Sequence, residues 1–401
     1  MIIRIKKDLN IKKVLLLAIV SYVVSLGLTL GILSLNGAKN KGMQVISPAT
    51  VTPAGSKFKI DPSIPKDQIC PLNGEKYTKQ EKEIWLKRRP LLVMIENHQD
   101  SRPQSGLSSS DIVYEAVAEG GITRFMAVFY CGASAEDTQL GPVRSARTYY
   151  IDFASEYGSK PIYVHVGGAN TPGPANALGQ IEDYGWAGVN DFNQFSIGFP
   201  TFWRDYDRLG HEVATEHTMY TTTEKLWAYA EKKRGLTNID QEDVSWDKGF
   251  TPYSFKDDEK EDSRPGNFSL SFVFWERYTD YGVVWKYDKT TNSYLRENGG
   301  QIHKDRNNNN QLTAKNIVVL YMNEQNANDG YANNAHLLYK TKGAGTAKVY
   351  IDGKVISAKW QKKDRLSHLL ITNANTGEEL KFNRGRIWFE VLATGTNVLE
   401  Q

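Results

Sequence analysis

At 401 residues the chain is longer than one ordinary hydrophobic core organises, which argues for two folded domains. Its 49 basic and 46 acidic residues are interspersed and leave a net charge of only +3, with no nucleic-acid-binding motif beside them, so nucleic acid is excluded as a partner. With 40% apolar and 24% charged residues, the bulk of the chain belongs among folded soluble domains rather than disordered segments.

Arg4, Lys6, Lys7, Lys12 and Lys13 precede an uncharged apolar run from Val14 to Leu35. Such a run has about the length needed to cross ~30 Å of hydrocarbon, and basic residues ahead of it hold an N-terminus in the cytoplasm. A cleaved signal peptide would show a shorter apolar core and small residues before the cut; Leu35-Asn36-Gly37-Ala38 is a poor cleavage site. The expectation is a basic tail at 1–13, a single-pass signal anchor at 14–35 and an extracytoplasmic remainder at the cell membrane. Residues 36–69 mix Pro, Gly, Ser, Thr and Lys without apolar periodicity and read as a flexible tether.

The two cysteines, Cys70 and Cys131, both fall on the exported side, where a disulfide persists. A bridge would close a loop of about 60 residues and stabilise by ~4 kcal/mol in the chain-entropy account. Two buried thiols are the alternative.

Residues 70–234 read as an α/β domain. A short charged helix over Thr78–Lys87 is ended by Pro90, and LLVMIEN follows as a buried strand. Its exit delivers Asn97 and His98 to the place where open α/β sheets keep functional loops, and Arg102 and Gln104 follow in the loop SRPQSGLSSS. In DIVYEAVAEGGITRFMAVFY, Asp111, Glu115 and Glu119 fit a helix by spacing, yet Gly120-Gly121 between two β-rich runs fits a hairpin better. A two-residue turn places Glu119 opposite Ile122, Val117 opposite Arg124 and Glu115 opposite Met126. Glu115 and Glu119 then share a face and flank Arg124 diagonally at about 7–8 Å. That is either a surface charge ladder worth under ~1 kcal/mol per pair or a carboxylate–arginine site.

GPVRSARTYYIDFA predicts a helix starting around Arg144 to Arg147, with both guanidiniums on one face near its positive end. This suits phosphate, pyrophosphate or carboxylate; solvation or pairing with Asp152 or Glu156 is the structural alternative. PIYVHVGG reads as a buried strand with His165 in its middle, a core histidine or a proton carrier. The aromatic loop VNDFNQFSIGFPTFWRDYDRLG either lids a pocket or covers the core, and His217 precedes a helix capped near Thr222 or Thr223. Residues 235–266 read as a linker, and 267–401 as a mostly-β domain with hairpin turns at Lys289–Asn292 and Asp352-Gly353. His303 and His336 stand alone there and read as structural or exposed.

Four stretches in order, ENHQDSRPQSGL, DIVYEAVAEGGITRFMAVF, GPVRSARTYYIDFA and EHTMYT, resemble the YerB-like family of bacterial envelope proteins. The similarity continues through LTAKNIVVLYM and GAGTAKVYIDGKVISAKW, and so covers nearly everything after Cys70. The resemblance implies a domain of unknown function with a smaller C-terminal companion, in a family where lipoproteins are common. This chain lacks a lipobox cysteine, which implies a transmembrane anchor instead. No established reaction comes with the family.

The expected fold is therefore an α/β (or α+β) exported N-terminal domain plus a smaller mostly-β C-terminal domain, behind one transmembrane helix. No nucleophile elbow, HExxH, Walker loop or dinucleotide fingerprint stands in context, so no cofactor and no metal are expected; a divalent ion on Asp111, Glu115 or Glu119 lacks diagnostic spacing. Two functions fit. In the first, Asn97, Arg102, Glu115, Glu119, Arg124, Arg144, Arg147, Asp152 and His165 bind an anionic cell-wall polymer, a lipid-linked precursor or a wall-synthesis protein. In the second, Arg124, Arg144 and Arg147 clamp a phosphate-bearing substrate of an envelope hydrolase or transferase, while Glu115, Asp152 or His165 moves protons.

Overall fold

A computed structural model describes residues 58–401 of the chain. The expected cytoplasmic tail at 1–13, the apolar run at 14–35 and the tether up to residue 57 lie outside the described residues.

The first half of the chain supplies strands β1 (Leu91–Glu96), β2 (Ile112–Glu119), β3 (Ile122–Phe129), β4 (Ile162–His165) and β5 (Asp191–Asn193). The second half supplies β6 (Ser269–Phe272), β7 (Val283–Asp288), β8 (Ser293–Asn298), β9 (Asn316–Met322), β10 (Gly343–Ile351), β11 (Lys354–Lys362), β12 (Leu370–Asn373) and β13 (Ile387–Ala393). Ten of these join one sheet in the order β12-β11-β10-β9-β13-β2-β3-β1-β4-β5. β6, β7 and β8 form the middle of a second sheet, completed by the short strands Gln301–Ile302, Thr313–Ala314 and Leu399–Glu400.

Sequence pattern explains the placement. β1 is buried at every position, as its run of apolar residues requires of a strand covered on both faces. β11 shows only intermediate and exposed residues until Ala358, then alternates buried with exposed ones, as suits a strand with one solvated face. The large sheet passes without interruption from one half of the chain to the other. β13 pairs in parallel with β9 on one side and β2 on the other, which places Glu390 beside Glu115. Residues 235–266 carry buried Trp246 and Tyr253, and their strand Phe255–Lys256 pairs with Phe382–Asn383.

Helices among the described residues are few and short: α1 (Lys79–Trp85), α2 (Thr148–Ala154), α3 (Ala177–Asp183), α4 (Gln194–Ile197) and α5 (Thr223–Tyr229). Thr78 and Glu81 close a capping box on α1, and the Thr222 hydroxyl caps α5. The described chain is thus mostly β on both sides, where an α/β (or α+β) N-terminal half and a mostly-β C-terminal half were expected. Among the described residues no helix is long and apolar enough to cross a membrane. The longest α-helices among the described residues have seven residues and reach roughly 10 Å against ~30 Å of hydrocarbon.

Cys70 and Cys131 form a disulfide with Cα atoms 6.0 Å apart, pinning the entry of the fold to the end of β3. Asp111 reinforces the junction. Its carboxylate accepts the backbone N–H groups of Tyr130, Cys131 and Gly132 and the Asn73 side-chain amide.

The hairpin of β2 and β3 turns at Gly120 and Gly121, both with positive φ, as a tight turn between twisted strands demands. Its register departs from expectation. Glu119 does face Ile122, but Val117 faces Thr123, Ala116 faces Arg124 and Glu115 faces Phe125. A β-bulge at Ala118 inserts one extra residue into β2 and inverts the alternation beyond it. Glu115 and Glu119 therefore leave β2 on opposite faces of the sheet.

Candidate functional site

Alternation at the end of β1 distributes its last residues in the same way: Glu96 lies opposite Arg124, while Asn97 joins Glu115 on the other face. Two separate polar clusters result.

The first lies at the carboxyl ends of β1 and β2, which run in the same direction, a usual address for binding loops. Arg124 donates to Glu119 at 3.2 Å and to the Ser145 carbonyl at 2.9 Å. Arg147 reaches the second oxygen of Glu119 and donates to the Ala146 carbonyl at 2.7 Å. Arg144 Nε donates to Glu96 Oε1 at 3.0 Å, and His217 Nδ1 meets Glu96 Oε2 at 2.8 Å. His98 stacks on His217 with ring centroids 4.8 Å apart, and the Asp100 carboxylate lies 3.6 Å from His98 Nδ1.

Burial grades this cluster. Arg124 and Arg147 are enclosed, and the Nε of each lacks a hydrogen-bond partner; Arg144 and Glu119 remain about a quarter exposed, at 24% and 26%. Burial alone would raise the Glu119 carboxyl, yet Arg124, Arg147 and Arg144 outweigh it and hold the group at about 2. The His217 imidazole is raised, foremost by its hydrogen bond to Glu96. Three guanidiniums and this histidine share two carboxylates.

The second cluster is largely buried, between β2, β13 and β8. Arg296 donates to Glu115 at 2.5 Å and to Glu390 at 2.8 Å, and its plane lies over the rings of Trp388 and Trp285. Arg296 Nε donates to His303 Nδ1 at 3.0 Å, so His303 carries its proton on Nε2 and passes it to Gln104 Oε1 at 2.7 Å. Gln104 donates to Asn97 Oδ1 at 2.9 Å, and Asn97 donates to Thr123 and Glu115 at 2.7 and 3.2 Å. Arg102 donates to the side chain and carbonyl of Asn97. Every member of this ring of bonds has one orientation that satisfies its neighbours. Burial, then Glu115, push the Glu390 carboxyl well above the usual range, while burial, Arg296 and Arg102 push His303 well below its own.

The expected site residues therefore divide. Glu119, Arg124, Arg144 and Arg147 come together on one face; Asn97, Arg102 and Glu115 belong to the second, largely buried network. Asp152 sits apart, accepting from Thr341 and Lys342 at 2.6 and 2.7 Å. His165 is buried between the Gly167 carbonyl and the Asp191 carboxylate, at 2.6 and 2.5 Å from its two ring nitrogens. The expected helix carrying Arg144 and Arg147 on one face is corrected too. α2 begins at Thr148 with Arg147 as its cap residue, and Arg144 lies in an extended segment bonded to Met94 and Val166. Sequence reasoning left Glu96, His98, His217, Arg296, His303 and Glu390 out of the site. The stretches ENHQDS and EHTMYT hold three of them, but Glu96 and His217 are 121 residues apart and nothing local signals that they meet.

A cleft of about 400 Å³ opens over Arg102 and His303. Another, of about 640 Å³, runs along β6 and β7 between Phe272, Phe274 and Leu399, with no residue of either cluster in its walls.

Residues 72–237 match the N-terminal domain, and residues 271–389 the C-terminal domain, of a protein family of unknown function, DUF3048. "Putative lipoprotein YerB" of Bacillus subtilis (strain 168) is 30% identical over 340 residues, covering 82% of this chain and 88% of that protein. This chain belongs to the YerB-like DUF3048 family. The crystal structure of YerB from Bacillus subtilis superposes with a TM-score of 0.63 at 24% identity over 83% of this chain and 99% of that one, so the DUF3048 fold is common to both. The lipoprotein name of that relative overturns the expected single-pass localisation, since a lipoprotein is held by lipid rather than by a spanning helix.

Proposed function

We propose that this DUF3048 member is an envelope-associated binding protein. Its ligand is a phosphate-bearing wall polymer or lipid-linked precursor, taken by the arginine–histidine face at the ends of β1 and β2. One observation carries the reading: two buried guanidiniums, Arg124 and Arg147, share the single carboxylate of Glu119, and each keeps an Nε without a partner. A buried donor left open alongside surplus positive charge is costly by itself and favours an incoming anion. Arg144 and His98, both partly exposed, offer the accessible first contacts. The lipoprotein name of the relative supports the envelope setting.

The test is thermal unfolding of the full chain in detergent, with and without pyrophosphate or phosphate-bearing wall fragments. Ligand at ~100 times its Kd adds about 2.7 kcal/mol of stability, a rise of several degrees for a protein of this size. Arg144→Ala should remove most of that rise while melting normally without ligand. An unchanged melting temperature with every anion sinks the reading. Catalysis on the same class of substrate is the second reading, favoured by the His217–Glu96 hydrogen bond beside Arg144. It requires phosphate release that His217→Gln abolishes.

A further inference from the structure

His98, Asp100 and His217 each present a metal-ligating atom within 4.8 Å of the other two. The other such grouping among the described residues, Cys70, Asp111 and Cys131, has both sulfurs engaged in the disulfide. Two loops distant in sequence build the first grouping: the turn after β1 supplies His98 and Asp100, and the turn before the strand Met219–Thr222 supplies His217. Glu96 Oε2 can only accept from His217 Nδ1, so Nε2 of the neutral ring is left with a free lone pair. A carboxylate behind an imidazole is the arrangement that orients metal-bound histidines and strengthens them as ligands. Arg144 occupies the other oxygen of Glu96, while Asp100 and the exposed Glu216 bring negative charge beside the two imidazoles.

We propose that His98, Asp100 and His217 form a divalent transition-metal site, with Glu96 as the positioning residue behind His217. Two imidazoles and one carboxylate suit zinc, and three protein ligands leave a coordination position for water or an anionic group. Tetrahedral zinc needs its ligand atoms about 3.3 Å apart, so the three must draw together by roughly 1–2 Å. The mobile partners are the right ones: the His98 and Asp100 side chains are 30% and 63% exposed, whereas His217 is 6% exposed and held by Glu96. The site does not depend on the anion-binding reading, because metal binding is measured directly.

The full chain, free of any purification tag and stripped with chelator, is titrated with zinc by calorimetry and with cobalt by visible absorption. The expected result is one zinc per chain and a cobalt spectrum of a low-coordinate nitrogen–oxygen site. His98→Ala should weaken zinc binding at least ~10-fold and Glu96→Gln by about 10–100-fold. His217 is buried, so His98→Ala and Asp100→Asn carry the decision, each first checked to melt like the wild type without metal. Absence of zinc binding by the wild type, or undiminished binding by both of these variants, overturns the proposal.

Discussion

Arg296 shows how a single side chain joins two stretches that the sequence keeps far apart. Parallel pairing of β13 with β2 sets Glu390 directly beside Glu115, and like charges in that position repel. Arg296 pairs with both carboxylates, and burial, then Glu115, push the Glu390 carboxyl well above the usual range, toward its neutral form. Arg296→Met should therefore destabilise by about 3–5 kcal/mol in urea unfolding, because it strands a buried charge. Glu390→Gln should stay within about 1 kcal/mol of wild type: a neutral amide still offers an oxygen to Arg296 and Trp285. A large loss in the glutamine variant would mean that Glu390 is ionised. Glu119 behaves oppositely. Its carboxyl is depressed from 4.5 to about 2, so its stabilisation is present above the unfolded value and is lost as pH falls toward about 2. The shift corresponds to up to ~3 kcal/mol. Urea midpoints of wild type and Glu119→Gln should converge as pH is lowered from about 5 to about 2; a constant gap would refute the arginine pairing as its cause.

At the level of elements, much was legible. Strands β1 to β4, the Gly120-Gly121 turn, the Asp352-Gly353 hairpin and the helix around Thr78–Lys87 follow from period, glycine placement and capping residues. The bulge did not show, because Val117-Ala118 looks like any other pair of small apolar strand residues. That one residue decides which carboxylates meet which arginines. The helix expected from around Arg144 to Arg147 starts only at Thr148 for a related reason: backbone bonds from the Arg144 position to Met94 and Val166 hold that segment extended, and those partners are remote in sequence. Deleting Ala118 should restore unbroken alternation and turn Glu119 away from Arg124 and Arg147. The expected cost is at least ~3 kcal/mol in urea unfolding, with loss of the acid transition assigned to Glu119. A deletion variant as stable as wild type would show that the bulge has another role.

For the molecule as a whole, local patterns suggested a linker at 235–266 but could not reveal that the sheet runs through both sides of it. The family match likewise recognises two domains, while β13, close to the end of the chain, lies between β9 and β2. A chain stopped before Ile387 loses the strand that joins the halves and also Glu390, which pairs with Arg296. It should be insoluble or lack cooperative unfolding by circular dichroism, whereas removal of Leu399–Gln401, exposed at the edge of the second sheet, should leave a cooperative transition. Cooperative folding of the shorter chain would mean that the halves are independent.

The position of β13 also sets a clock on synthesis. β2 is complete at Glu119 and its neighbour at Ala393, an interval of 274 residues. At 5–20 residues per second the ribosome needs roughly 14–55 s to bridge it. For that time the nascent chain carries a largely apolar, unpaired strand edge able to capture another chain. Holdase chaperones would find their client in this window, and the last strand made is the one that ends it.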